Sequence, residues 1–322
     1  MKIRKVFLLV GILILVSGTA VFAGGGSQNT GGEKKLRIGI SVIGTEHSWD
    51  INAYNGARDK ARELGFEILG FDGERRPEKQ LSDVETLISS KVDIIAVILG
   101  DTESLAPALK KARDQGIPVV TADFDNPHTI ANVGTNNQIA MAELVEQLCA
   151  DLGKNGNVGV FYTPGIPIAD ERKDVFDKVM AKYSGMKVVN LQPWKIPGTV
   201  PDAYDKTKDM MKANPEIQAF WTVFDQPMIG AAQALADVGL QGKTKCYGFD
   251  GDDLAMEMLM DPNAAYGATV AQQPYLIGQT LAEVAWKVLH KEPVDRNVYV
   301  PAVLVTPKNV KEVYNTLPQY KK

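Results

Sequence analysis

The chain has 322 residues, 45% of them hydrophobic, with a formal net charge of −4 and two cysteines. This mildly acidic balance, with no basic patch interleaved with aromatics outside the first residues, excludes an electrostatic nucleic-acid surface. Cys149 and Cys246 stand far apart without CxxC spacing, which favours two buried thiols over a disulfide.

The first element is a leader. Lys2, Arg4 and Lys5 precede an apolar run over 6–16, and Ala20, Val21, Phe22 and Ala23 close the segment. That order predicts a secretory signal peptide over 1–23, cleaved after Ala23. The alternative, a membrane anchor, needs roughly 20 apolar residues, more than the run supplies. The cysteine that a bacterial lipoprotein carries at its cleavage point is absent. Residues 24–35, rich in Gly, Ser, Asn and Lys, read as a flexible lead-in. About 290 residues remain, which suits two domains of about 130 to 150 residues each.

From residue 36 onward, short β-rich runs alternate with amphipathic stretches. Strands are predicted over 36–43, 66–72, 92–99, 117–123, 157–163, 186–193, 218–224, 245–250 and 266–272. Most are continuous apolar runs, the pattern of strands covered on both faces. Helices are predicted over 52–64, 78–89, 105–114 and 274–289, several ending at a glycine where a left-handed cap is cheap. Such alternation implies parallel sheets with right-handed crossovers. A single sheet of that size would be unusual, so the fold class is α/β with two doubly wound parallel-sheet lobes. The first lobe is expected over 36–135 plus 273–299 and the second over 136–272 plus 300–322. VGTNN (133–137), YGATVAQQ (266–273) and YVPAVLVTP (299–307) then form a hinge of three crossings.

Several motifs carry a resemblance over essentially the whole mature chain. In order they are His47-Ser48-Trp49-Asp50 opening a helix, VVTADFDNP (119–127), VGTNN (133–137) and ADERKDVF (169–176). PEIQAFWTVFDQPMIGAAQAL (215–235), YGFDG (247–251) and TVAQQPYLIG (269–278) follow. Any one is weak; together, in this order, they resemble the ribose- and xylose-type periplasmic binding proteins of ABC transporters. Those proteins share their fold with the effector domain of LacI-type repressors. The resemblance implies the type I periplasmic binding fold, in which a small ligand is held between the lobes. It also implies periplasmic localisation, a membrane permease and a chemoreceptor as partners, a monomer, and no cofactor or metal.

In open α/β sheets, ligands bind beyond the carboxyl ends of the strands, and each motif follows a predicted strand. A sugar presents hydroxyls and apolar C–H faces, so its site needs aromatic plates and carboxylate, guanidinium or amide groups. Trp49 is the candidate plate of the first lobe, and His47 a hydrogen-bonding partner; core packing and a helix start are their plain alternatives. Asp50 stands where the resembling proteins place a second aromatic. The resemblance makes Asp123 an acceptor for sugar hydroxyls, with Asp125 beside it unless Asp125-Asn126-Pro127 is only a turn. Phe124 stands where ribose proteins have an arginine, and Phe224 where they have an asparagine. Arg172 is expected to fork onto adjacent hydroxyls, or else to make a surface ion pair with Asp170 and Glu171. Trp194 is the candidate plate of the second lobe. Asp225 and Asp250 are expected at the ligand, with helix N-capping as their alternative. Gln272 should face the ligand at the hinge, and Gln273 should face away.

The reading that follows is an extracytoplasmic solute-binding protein for a monosaccharide, a pentose or hexose. A nucleoside, an autoinducer-like furanose or a polyol is the alternative, because fold does not fix ligand. An enzyme is not expected: the three histidines, His47, His128 and His290, show no ligand spacing, and no phosphate loop or nucleophile elbow occurs. A repressor would need a helix-turn-helix before the first strand, where this chain has a leader.

Overall fold

The computed structural model describes residues 35–320, so the predicted signal peptide, most of the lead-in and the last two residues lie outside the described residues. The chain begins β1 (Arg37–Val42), α1 (Ser48–Glu63), β2 (Glu67–Asp72), α2 (Pro77–Ser89), β3 (Ile94–Ile98), α3 (Thr102–Asp114), β4 (Val119–Ala122) and β5 (Ala131–Gly134). It continues with α4 (Asn137–Asp151), β6 (Asn155–Phe161), α5 (Pro167–Met180), β7 (Gly185–Gln192), α6 (Thr199–Ala213), β8 (Ala219–Thr222), α7 (Asp225–Asp237), β9 (Lys245–Tyr247), α8 (Asp253–Met260) and β10 (Tyr266–Ala271). It closes with α9 (Pro274–Leu289), β11 (Asn297–Tyr299), β12 (Val303–Val305), α10 (Val310–Thr316) and a 3-10 turn at Pro318–Tyr320.

Two six-stranded sheets result, in the orders β2-β1-β3-β4-β5-β11 and β7-β6-β8-β9-β10-β12. The chain passes between them after β5, after β10 and between β11 and β12, giving the three-crossing hinge. The first sheet is parallel throughout; in the second, β12 runs antiparallel to β10. Central strands are buried along their whole length, as in β3, where Ile94, Ile95, Ala96, Val97 and Ile98 are all inaccessible to solvent. This is why they read as unbroken apolar runs. The strands β5, β11 and β12 have only three or four residues, too few to show a period, so in sequence they read only as crossings. Cys149 and Cys246 are free, buried thiols.

Candidate functional site

A cavity of about 610 Å³ lies between the lobes at the carboxyl ends of the strands. It is lined by every residue named above as a candidate except Asp225.

On the first lobe, His47 caps α1: its Nδ1 accepts from the Trp49 backbone N–H at 3.2 Å. That keeps the ring neutral, and burial, aided by the Arg75 and Arg172 charges, pushes its pKa down to about 4. Trp49 is 5% exposed and its indole N–H has no protein partner. Asp50 accepts from Arg75, which Glu46 also flanks at 3.5 Å. Burial raises the Asp50 pKa to about 7 despite the Arg75 charge. Asp50 thus fills its position with an ion pair instead of an aromatic ring.

Asp123 ends β4 with φ +45°, its N–H held by the Val133 carbonyl at 3.0 Å. Its carboxylate passes over Gly134, where any Cβ would stand 2.0 Å from Oδ1. Asp125, at the mouth, is exposed and pairs with Arg296, which also donates to the carbonyls of Asn126 and Thr129. Asn126 Oδ1 accepts from His128 N–H at 3.0 Å, so the segment is also the turn its sequence suggests.

On the second lobe, Arg172 of α5 is 5% exposed and lies in the cavity wall, away from any surface ion pair. Its Nε donates to Asn137 Oδ1 at 2.9 Å and its Nη1 to the Val223 carbonyl at 2.9 Å. Nη1 also stands 3.6 Å from Asp250 Oδ1, and the guanidinium lies 4.0 Å over the Phe249 ring. Gln272 Nε2 donates to Asp250 Oδ1 at 2.7 Å while its Oε1 accepts from Thr135 at 2.8 Å. Gln273 turns away and donates to the Pro301 carbonyl. Trp194 is clamped by Thr163, which accepts from its N–H and donates to its carbonyl. Phe224 meets the Trp194 ring edge-on at 4.9 Å and, across the cleft, His47 at 5.9 Å.

Asp225 is the exception. It is fully buried behind the cleft, where its carboxylate accepts from the N–H groups of Gly251 and Asp252 and the hydroxyls of Tyr266 and Thr269. A short carboxylate at the start of α7 faced several orphan donors in the neighbouring turn, and these claimed it. Its contribution to the site is indirect, because the turn it anchors carries Asp250 at φ +124°. Sequence reasoning missed Arg75, Thr135 and Asn137 as wall residues; the last two belong to the VGTNN motif, whereas Arg75 sits in a turn with no periodic signal.

One hydrogen bond closes the cleft directly. Ser48 Oγ, beside Trp49, donates to Asp252 Oδ1, beside Asp250, at 2.6 Å. Because it exists only with the lobes together, Ser48→Ala is expected to weaken ligand affinity about two- to tenfold, chiefly through faster dissociation. Stopped-flow release kinetics check this; an unchanged off-rate refutes it.

Burial raises the Asp123 pKa to about 6 against the Arg172 charge, and raises that of Asp250 well above the ordinary 3.8. An ionised carboxylate accepts from a hydroxyl more strongly than a protonated one, and the ionised fraction of Asp123 falls about tenfold from pH 7 to pH 5, so affinity should fall by up to about tenfold over that range in calorimetric titrations. Stability of the free protein should move the other way. Asp50 and Asp123, raised by burial to about 7 and about 6, and Asp225, raised by burial and the neighbouring Asp252, stabilise the fold fully below 3.8 and lose that contribution as pH rises through their raised values. His47, lowered from 6.5 to about 4, opposes them but is outnumbered.

The chain matches the family model of the periplasmic binding protein domain over residues 38–293. It is 28% identical to a ribose import binding protein of Bacillus subtilis over 290 residues, covering 87% of this chain and 90% of that protein. The crystal structure of an ABC transporter solute binding protein from Agrobacterium vitis with bound allitol matches with a TM-score of 0.83 and 34% identity, over 88% of this chain and 99% of the other. An ABC sugar transporter subunit from Rhodobacter sphaeroides matches with a TM-score of 0.81 and 36% identity, over 85% and 99%.

Proposed function

The chain belongs to the periplasmic binding protein family, and from that premise we propose that it captures a monosaccharide or an open-chain polyol between its lobes and delivers it to an ABC permease. The observation that carries this reading is the buried polar set of Arg172, Asp250, Gln272 and Thr135, met from the first lobe by Asp123. Such a set offers forked donors and charged acceptors to adjacent hydroxyls, and closure around it strengthens each bond by excluding water. Trp49 and Trp194 supply apolar faces for C–H surfaces.

The opposed carboxylates and guanidinium leave no excess positive charge in this set, which disfavours an anionic ligand. Binding proceeds without a covalent step: ligand rests on one lobe, and closure brings the other against it. The leader directs export and is cleaved after Ala23, and the mature protein acts as a monomer that the permease reads in its closed form, with a chemoreceptor as a second reader.

A thermal-shift screen against pentoses, hexoses, polyols, nucleosides and amino acids tests the reading. At a hundredfold excess over Kd, a ligand specific for the folded state adds about 2.7 kcal/mol of stability. A shift confined to sugars or polyols is expected. A shift confined to nucleosides or amino acids overturns the ligand class.

A further inference from the structure

We propose that the wall formed by Phe224 and Trp194 receives an apolar substituent, an O-alkyl or S-alkyl group on the sugar, where an unmodified sugar carries a hydroxyl. This rests on the sugar reading above and narrows it.

Phe224 occupies the N-cap of α7 with an extended backbone (φ −157°, ψ 166°) and makes no side-chain cap bond. That position favours Ser, Thr, Asp or Asn, whose side-chain oxygen accepts an orphan helix N–H. The chain forgoes the cap here, as it also does with Arg76 at α2 and Ile166 at α5, and places a phenyl ring in the cavity wall.

What surrounds that ring is largely apolar, and its polar atoms are donors. Phe224 is 8% exposed, edge-on to Trp194, with Ile196 in the same cavity wall and His47 across the cleft. The His47 Nδ1 lone pair is already used by the Trp49 N–H. A ligand hydroxyl pressed here would lose its water without gaining an acceptor. The Trp194 indole N–H, buried and unpartnered, is a donor. A donor satisfies an ether oxygen or a thioether sulfur, which only accept, whereas a hydroxyl could accept from it but would still have its own proton to place.

The cavity also has room to spare. At roughly 30 Å³ per water, about 610 Å³ equals about 20 waters, against about a dozen non-hydrogen atoms in a hexose. With the polar set around Arg172 serving the hydroxyls and the Trp194 face serving the ring's C–H surface, the Phe224 ring beside Trp194 is available to a substituent that the ring carries.

The test is calorimetric titration of the protein with matched pairs of pentoses and hexoses, each with and without an O-methyl or S-methyl group at the anomeric or terminal carbon. In at least one pair the alkylated member is expected to bind about tenfold or more tightly, the range for one methylene-sized group in an apolar pocket. Phe224→Asn, which supplies the missing helix cap and so favours folding, should erase that preference; Phe224→Leu should retain most of it. If the unsubstituted member binds as tightly or more tightly in every pair, the inference fails while the sugar reading stands. An alkyl preference that survives Phe224→Asn unchanged overturns the assignment to this wall. If no sugar or polyol of either kind binds and a nucleoside or amino acid does, the sugar reading fails and takes the inference with it.

Discussion

Arg172→Ala is expected to weaken ligand binding by about thirtyfold to several thousandfold, the effect of 2–5 kcal/mol for truncating one partner of a buried, hydrogen-bonded charge set. The guanidinium is the positive charge that faces Asp123 and Asp250 together, and it is fixed by Asn137, the Val223 carbonyl and the Phe249 ring. Without it, both carboxylates retain their protons to higher pH and become poorer acceptors for hydroxyls. Arg172→Lys should recover only part of the loss, because an ammonium keeps the charge but cannot reproduce the planar fork. Calorimetric titration decides: a Kd for the alanine variant within about threefold of the parent's would remove Arg172 from the site.

Asp225→Ala tests the scaffold behind the site. The substitution strands the Asp252 N–H and the Tyr266 and Thr269 hydroxyls, all buried or nearly so, and leaves the Gly251 N–H only Thr269 Oγ1 at 3.3 Å. At about 1–3 kcal/mol for each buried group left unpaired, and with loss of a desolvated carboxylate partly offsetting that cost, about 3 kcal/mol of destabilisation is expected. At about 2.1 cal/mol/K of unfolding entropy per residue over about 290 residues, this corresponds to a fall of about 5 °C in Tm. The turn that holds Asp250 at φ +124° should loosen as well, so affinity falls even though Asp225 does not line the cavity. Asp225→Asn, which keeps one acceptor oxygen, should be intermediate in a thermal melt. A change below about 2 °C for Asp225→Ala would show that water or local rearrangement satisfies the stranded donors.

The course of the chain was largely legible because its physics is local and repetitive. Unbroken apolar runs such as Ile94–Ile98 announce strands covered on both faces, and glycines such as Gly65 and Gly116, at φ +84° and +76°, mark helix ends. What escaped was short or non-local. The three residues of β12 carry no period, and their antiparallel pairing with β10 depends on a hinge crossing that composition does not encode.

The site divides in the same way. Arg172 in the second turn of α5 and Asp250 just beyond β9 both line the cavity to which their motif positions pointed. Asp225 looks identical in sequence to a ligand-facing aspartate. Its fate was decided by which donors folded next to it, namely Tyr266 and Thr269, some forty residues away along the chain. Asp50 likewise was claimed by Arg75, a partner that no motif advertises.

Equilibrium calorimetric titration of the protein with neutral monosaccharides and polyols at pH 7 should show saturable one-to-one binding of at least one of them, abolished or strongly weakened by Arg172→Ala in a variant that still melts cooperatively. Saturable binding of only a nucleoside, an amino acid or an anion, or sugar binding indifferent to Arg172, would contradict the proposed function.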